Sequence, residues 1–188
     1  MTREEFTNKF YGDAVRATRG SGIFPQTLLA MAIVESQGKN EAGNYEPGLG
    51  LVARKANNYF GVKYYPQWKG PTIDLPTPGD AKKVSTFVVY SSIYDSFAGF
   101  VDFLKKNPRY EKKGVFTAPN YGEQITRIAA AGYAENPNYA TVVKSVADKL
   151  RQYIKTTTDA VNNNRLLFPI LFAGALVAVL LISKSLKK

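Results

Sequence analysis

The chain of 188 residues has no cysteine and no histidine, and only one tryptophan. Without cysteine there is no disulfide and no thiolate nucleophile, and the compartment cannot be read from redox chemistry. Without histidine the usual metal ligand is missing, as is the usual base of a serine or cysteine triad. A zinc peptidase or amidase, which needs several such ligands, is a poor fit, and no cofactor is implied. The N-terminal Met1-Thr2-Arg3-Glu4-Glu5-Phe6 has no apolar h-region, so no secretory signal peptide is expected there. Carboxylate chemistry remains, with 15 Asp and Glu available.

Basic residues are in excess, giving a net charge of +10. They are scattered in pairs (Lys82-Lys83, Lys105-Lys106, Lys112-Lys113) and belong to no nucleic-acid motif. An acidic polymer or membrane surface suits this charge, and no specific nucleic-acid partner is expected.

The most informative segment is an apolar run ending in one acid. Ser21 to Val34 leads straight into Glu35-Ser36-Gln37-Gly38. Pro25 suits the first helical turn, where its missing N–H costs nothing, and Gly38 suits the stop. Leu28, Leu29, Ala32 and Ile33 fall at helical spacing and their neighbours are nearly as apolar, which predicts a deeply buried helix. A carboxylate on the last turn of such a helix is partly desolvated and suited to hold a proton near neutrality. The competing reading is a solvated Glu at a helix C-terminus.

Other elements are legible coarsely. Thr2-x-x-Glu5 predicts a capping box opening a helix to about Arg19, with Phe6, Phe10, Ala14 and Ala17 on one face. Asn40 to Ala56 reads as a loop, and Asn58 to Lys63 as a turn or short helix into a strand-like Tyr64-Tyr65. Residues 72–75 and 84–90 read as a β-hairpin with a wide loop from Pro76 to Lys83. Amphipathic helices are expected from Ile93 to Asn107, stopped by Pro108, from Asn120 to Gly132, and from Asn138 to Lys155.

A set of short motifs follows Glu35 in order. They are Asn57-Asn58-Tyr59-Phe60-Gly61-Val62-Lys63, Trp68-Lys69-Gly70, Phe87-Val88-Val89-Tyr90-Ser91-Ser92, Ser96-Phe97, and Phe103-Leu104 with Asn107-Pro108-Arg109-Tyr110. Last come Ala131-Gly132-Tyr133-Ala134, Pro137 and Tyr139. Over residues 21 to 150 this series resembles the bacterial and phage glucosaminidases of glycoside hydrolase family 73, which cut peptidoglycan glycan strands. The resemblance implies a mainly α (α+β) lysozyme-like fold with a small β-hairpin lobe, and Glu35 as proton donor. It implies a substrate-orienting Tyr133, Asn58 and Phe60 lining the cleft beside the acid, and a second carboxylate on the hairpin.

At the hairpin the match is imperfect. Relatives tend to carry a Glu just before a Phe-Arg-x-Tyr strand, whereas here Ser85 and Thr86 precede Phe87-Val88-Val89-Tyr90 and the Arg is absent. The hairpin acids are Asp74 and Asp80, and Asp74 is preferred because a strand holds a side chain more rigidly than a flexible loop. If neither serves, the N-acetyl group of the substrate could act as nucleophile. Trp68 offers a flat ring face for a sugar, and Tyr139 is a further groove aromatic or a core residue.

The expected activity is hydrolysis of glycosidic bonds between N-acetylglucosamine and N-acetylmuramic acid, for wall penetration or lysis. Two alternatives stay open: a lytic transglycosylase-type cleavage with one acid, and a non-catalytic envelope or virion protein that keeps the groove. The expected division is a catalytic domain at 1–155, a polar linker at 156–165, a transmembrane helix at 166–183 and a basic tail at 184–188. Leu166 to Ile182 is free of charge; its 17 residues reach roughly 25 Å at 1.5 Å each, the short end of a membrane span. The lipid partner would be a phage virion membrane or the host inner membrane, through a single C-terminal anchor flanked by Arg165 and Lys184, Lys187 and Lys188.

Overall fold

The computed structural model describes residues 1–77 and 80–154. The expected linker, transmembrane helix and basic tail lie outside them. No helix among the described residues is long and apolar enough to cross a membrane.

Helix α1 (Arg3–Thr18) opens on the expected capping box: the Glu5 amide donates to Thr2 Oγ1 at 3.2 Å, and the Thr2 amide donates to the Glu5 carboxylate at 2.8 Å. Phe6 and Ala14 are fully buried where α1 packs on α2 and α4. Helix α2 (Pro25–Ser36) has Pro25 in its first turn and is buried from Thr27 to Ile33. Its N-cap, Phe24, has no capping side chain. The side chain of Gln124, 100 residues away in sequence, accepts from the Phe24 amide at 2.9 Å instead. Gln124 also donates to the carbonyls of Gly22 and Val115. One fully buried amide therefore satisfies three backbone groups and sets where α2 begins.

The stretch after α2 is more ordered than its composition suggests. Strands β1 (Gly38–Lys39) and β2 (Tyr45–Glu46) pair antiparallel across an Asn40–Asn44 turn, and helix α3 spans Leu51–Ala56. The expected loop over Asn40 to Ala56 is thus a small ladder plus a helix, because Asn40 caps the turn through its own side chain while Val52, Ala53 and Ala56 find a core. This segment runs tight against α2. A Cβ on Gly38 would sit 2.6 Å from the Leu49 carbonyl, and one on Gly50 2.9 Å from the Ser36 carbonyl.

Strands β3 (Thr72–Thr77) and β4 (Asp80–Val88) form an antiparallel hairpin. Its loop is narrower than expected: Pro76 pairs with Val84, and after a register shift Thr77 pairs with Asp80. The inward residues Leu75 and Phe87 form a small second core with Val52 and Ala56. Tyr64-Tyr65 is not a strand; the chain touches the sheet at a single bridge from Lys63 to Phe87.

The helical lobe is completed by α4 (Ile93–Lys106), α5 (Pro108–Lys112), a 3₁₀ turn at Val115–Thr117, α6 (Tyr121–Ala130) and α7, helical over residues 139–154. Pro108 does more than stop α4, since it also starts α5 at the first-turn position it favours. The main core joins residues of α1, α2, α4, α6 and α7 from Phe6 to Ile154.

Candidate active site

A cleft of about 990 Å³ opens between the helical lobe and the hairpin lobe. Its walls come from the end of α2, from α3, from the 60–65 segment, from the hairpin tip, and from Phe103, Arg109, Tyr133 and Ala134. Glu35 stands in this cleft on the last turn of α2. Solvent reaches the side chain through the opening, while protein groups crowd it on the other sides. That burial pushes its pKa above the ordinary carboxylate value, and the Tyr139 hydroxyl works against the shift with a smaller effect. Rigid apolar packing from Thr27 to Ile33 fixes the helix, so the acid has a firm base. Gly48 and Gly50 amides donate to Ser36 Oγ and to the Ser36 carbonyl at 2.9 and 2.8 Å, tying the next residue down.

Two tyrosines flank the acid. Gly132 adopts φ +78 just after α6, the left-handed conformation that ends a helix and reverses the chain, so that Tyr133 turns back into the cleft. Its hydroxyl donates to the Phe60 carbonyl at 3.1 Å and its ring packs edge-on against Phe100. Burial and the Glu35 charge both raise the Tyr133 pKa, which keeps the phenol protonated as a donor. Tyr139 lies one layer behind, its ring 5.5 Å from that of Tyr133. Its enclosed hydroxyl has no hydrogen bond of ordinary geometry among the described residues, yet it faces Glu35 closely enough to perturb it. Burial, first, and the Tyr133 and Glu35 charges raise its own pKa.

The hairpin acids separate. Asp80, at the tip, lines the cleft, and no other carboxylate than Asp80 and Glu35 does so among the described residues. Asp74 does not line it, contrary to the preference expressed from strand rigidity. Side chains alternate along a strand, and with Leu75 turned into the small core Asp74 faces outward. There it accepts a 2.6 Å hydrogen bond from Thr86, its direct cross-strand partner.

Asn58 also stands behind the cleft rather than in it. It is buried, with Nδ2 donating to the Val62 and Val88 carbonyls and Oδ1 accepting from the Val62 amide. Its work is to hold the turn that presents Phe60, Gly61 and Val62 to the cleft. Phe60 lines the cleft and stacks on Phe100 with centroids 3.9 Å apart. Trp68 is not a cleft residue: its ring packs edge-on against Tyr90 and its indole N–H donates to the Pro71 carbonyl. Besides Phe60 and Tyr133, the aromatic residues that line the cleft are Tyr64, Tyr65, Phe87 and Phe103. Nothing in the spacing of Tyr64 and Tyr65 marks them, because the 60–65 segment is irregular and only its docking on the hairpin decides which way each ring turns.

Residues 12–152 match the glucosaminidase family, described as mannosyl-glycoprotein endo-beta-N-acetylglucosaminidase. The chain belongs to the glucosaminidase family. The peptidoglycan hydrolase FlgJ of Salmonella typhimurium is 36% identical over 143 residues, covering 72% of this chain and 42% of that protein. The exo-glucosaminidase LytG of Bacillus subtilis is 31% identical over 135 residues, covering 68% and 44%. The chain thus spans less than half the length of these relatives. Among solved structures, the glycoside hydrolase domain of Salmonella typhimurium FlgJ superposes with a TM-score of 0.65 at 30% identity, over 87% of this chain and 98% of that one. A peptidoglycan hydrolase from Sphingomonas sp. A1 gives 0.62 at 25% identity, over 82% and 94%. The fold of this chain is therefore the helix-rich, lysozyme-like glycoside hydrolase fold with small sheets.

Proposed function

We propose that the chain is a peptidoglycan hydrolase that cleaves glycosidic bonds between N-acetylglucosamine and N-acetylmuramic acid, with Glu35 as the general acid. The observation that carries this is a carboxylate of raised pKa on a rigid apolar helix, opening into the cleft between two lobes. A glycosidic oxygen leaves only as it is protonated, and a carboxyl that keeps its proton towards neutrality meets that need. Tyr133, a protonated phenol beside the acid, orients the sugar. Asp80 is the assisting carboxylate: it would stabilise the developing positive charge on the sugar or activate a water. Tyr64 and Tyr65 supply ring faces for the pyranose units.

The deciding experiment digests purified sacculi and resolves the fragments by mass spectrometry. Reducing-end sugars support hydrolysis, and the identity of the reducing sugar names the bond. Anhydro ends would replace this reading with one-acid transglycosylase chemistry, and intact strands would leave only a glycan-binding role.

The apolar run 166–182 is proposed to anchor the catalytic domain, residues 1–155, in a membrane through the polar stretch 156–165. Its support is the sequence alone: 17 uncharged residues bracketed by Arg165 and Lys184.

A further inference from the structure

Arg109 is a charged group the chemistry above does not use. It stands in the cleft wall on α5 and is exposed. Its side chain is held in place: Nη1 donates to the Gly132 carbonyl at 3.1 Å, Nη2 donates to the Tyr110 hydroxyl at 2.7 Å, and the guanidinium lies over the Tyr110 ring at 4.8 Å. Tyr110 itself is fully buried, so the base of this arrangement is rigid. A guanidinium has five N–H donors, and these two bonds leave others unused. Arg109 forms no ion pair among the described residues. Its charge nevertheless reaches the site, lowering the pKa values of Tyr133 and Tyr110 against larger opposing effects. Exposed Lys105, Lys112 and Lys113 on the same stretch add positive potential outside the cleft.

We infer that Arg109 is a specificity-determining anion subsite that receives a carboxylate of the glycan strand; the inference rests on the glycan-hydrolase reading. A pre-positioned fork without a counterion suits a carboxylate better than a neutral hydroxyl, because the charged bonds are stronger and little side-chain freedom is lost on binding. Neutral N-acetylglucosamine polymers offer no such group. A peptidoglycan strand offers one at each muramic acid, either as the free lactyl carboxylate or, where the lactyl group is amidated by a stem peptide, as the carboxylates of that peptide. Arg109 would thus favour peptidoglycan over a neutral glycan with similar sugars.

Arg109 also braces the Gly132 turn that aims Tyr133, and a purely structural role predicts equal losses on every ligand. The test therefore reads a ratio, which is insensitive to the fraction of correctly folded protein. Full-length protein carrying E35Q, to prevent turnover, is titrated with three tetrasaccharides of alternating N-acetylglucosamine and N-acetylmuramic acid. One bears stem peptides, one bears free lactyl carboxylates, and one has the lactyl groups blocked as neutral methylamides. At low salt, at least one carboxylate form should bind about tenfold or more tightly than the methylamide, and that preference should shrink as salt is added. Adding R109Q should reduce the preference to about one, with R109K intermediate because it keeps the charge and loses the fork. Whichever carboxylate form loses most identifies the source of the anion. Equal weakening of all three ligands by R109Q, or a preference that survives it, would overturn the subsite. The enzymatic reading fails separately, if the wild-type protein releases no fragments from sacculi.

Discussion

Glu35 illustrates how one side chain can oppose stability while serving chemistry. Burial raises its pKa, so the folded state holds the proton more tightly than the unfolded chain does. Stability from this group is then full below the ordinary carboxylate pKa and is lost as pH rises through the folded value. Glu35→Gln, neutral at every pH, should melt at a higher temperature than wild type at neutral pH and lose that advantage below about pH 4. A pH-independent difference would mean that desolvation is not the cause. The same variant should lose roughly 10²–10⁴-fold in activity on cell-wall suspensions, and wild-type activity should fall as pH rises through the Glu35 pKa. Clearance at near wild-type rate would remove Glu35 from the acid's role. For the second carboxylate, Asp80→Asn should reduce kcat strongly, whereas Asp74→Asn should cost little beyond its bond to Thr86. The opposite ranking in parallel assays would return the assignment to Asp74.

At the level of elements, the site depends on joints between distant segments. Glu35 is placed by α2, and α2 starts where the Gln124 side chain meets the Phe24 amide. Gln124→Leu keeps much of the volume and leaves the Phe24 amide and the Gly22 and Val115 carbonyls without that partner. Chemical denaturation should show a loss of about 1–3 kcal/mol, the cost of leaving buried polar groups unpaired. An unchanged midpoint would show that water or a shifted backbone replaces the bonds. The turn at Gly132 and the Asn58 clamp act similarly, one aiming Tyr133 and the other presenting Phe60.

At the largest scale, the described residues form two unequal lobes with a cleft between them, and the main core among them runs from Phe6 to Ile154. Truncation after Lys155 should therefore yield a soluble, folded and active domain, seen as a single cooperative melt and undiminished lysis of wall fragments. Full-length protein should stay with membranes at high salt and alkaline pH, because a hydrophobic span is not released when charges are screened. Leu176→Arg in the middle of the run should weaken insertion by about 3 kcal/mol on translocon-derived scales. Release by salt, or aggregation of the truncated domain, would assign residues 166–182 to the core instead.

Local chemistry was readable from the sequence where neighbouring residues enforce it. The Thr2 and Glu5 capping box, the Pro25 start of α2, its all-round apolar character and the acid at its end are properties of short spans, and each stands where the spacing placed it. The motifs after Glu35 carried the family for the same reason. What they could not carry is direction across the fold. Whether Asp74 or Asp80 meets the cleft depends on which face of β3 packs on Val52 and Ala56, a contact between segments about twenty residues apart in the chain. Trp68 turned to Tyr90, and Tyr64 and Tyr65 to the cleft, because an irregular segment takes its side-chain directions from the lobe it docks against. Arg109 gains meaning only through the Gly132 carbonyl 23 residues later. Sequence spacing determines which residues share a face of one helix or strand, and tertiary packing alone decides what that face meets.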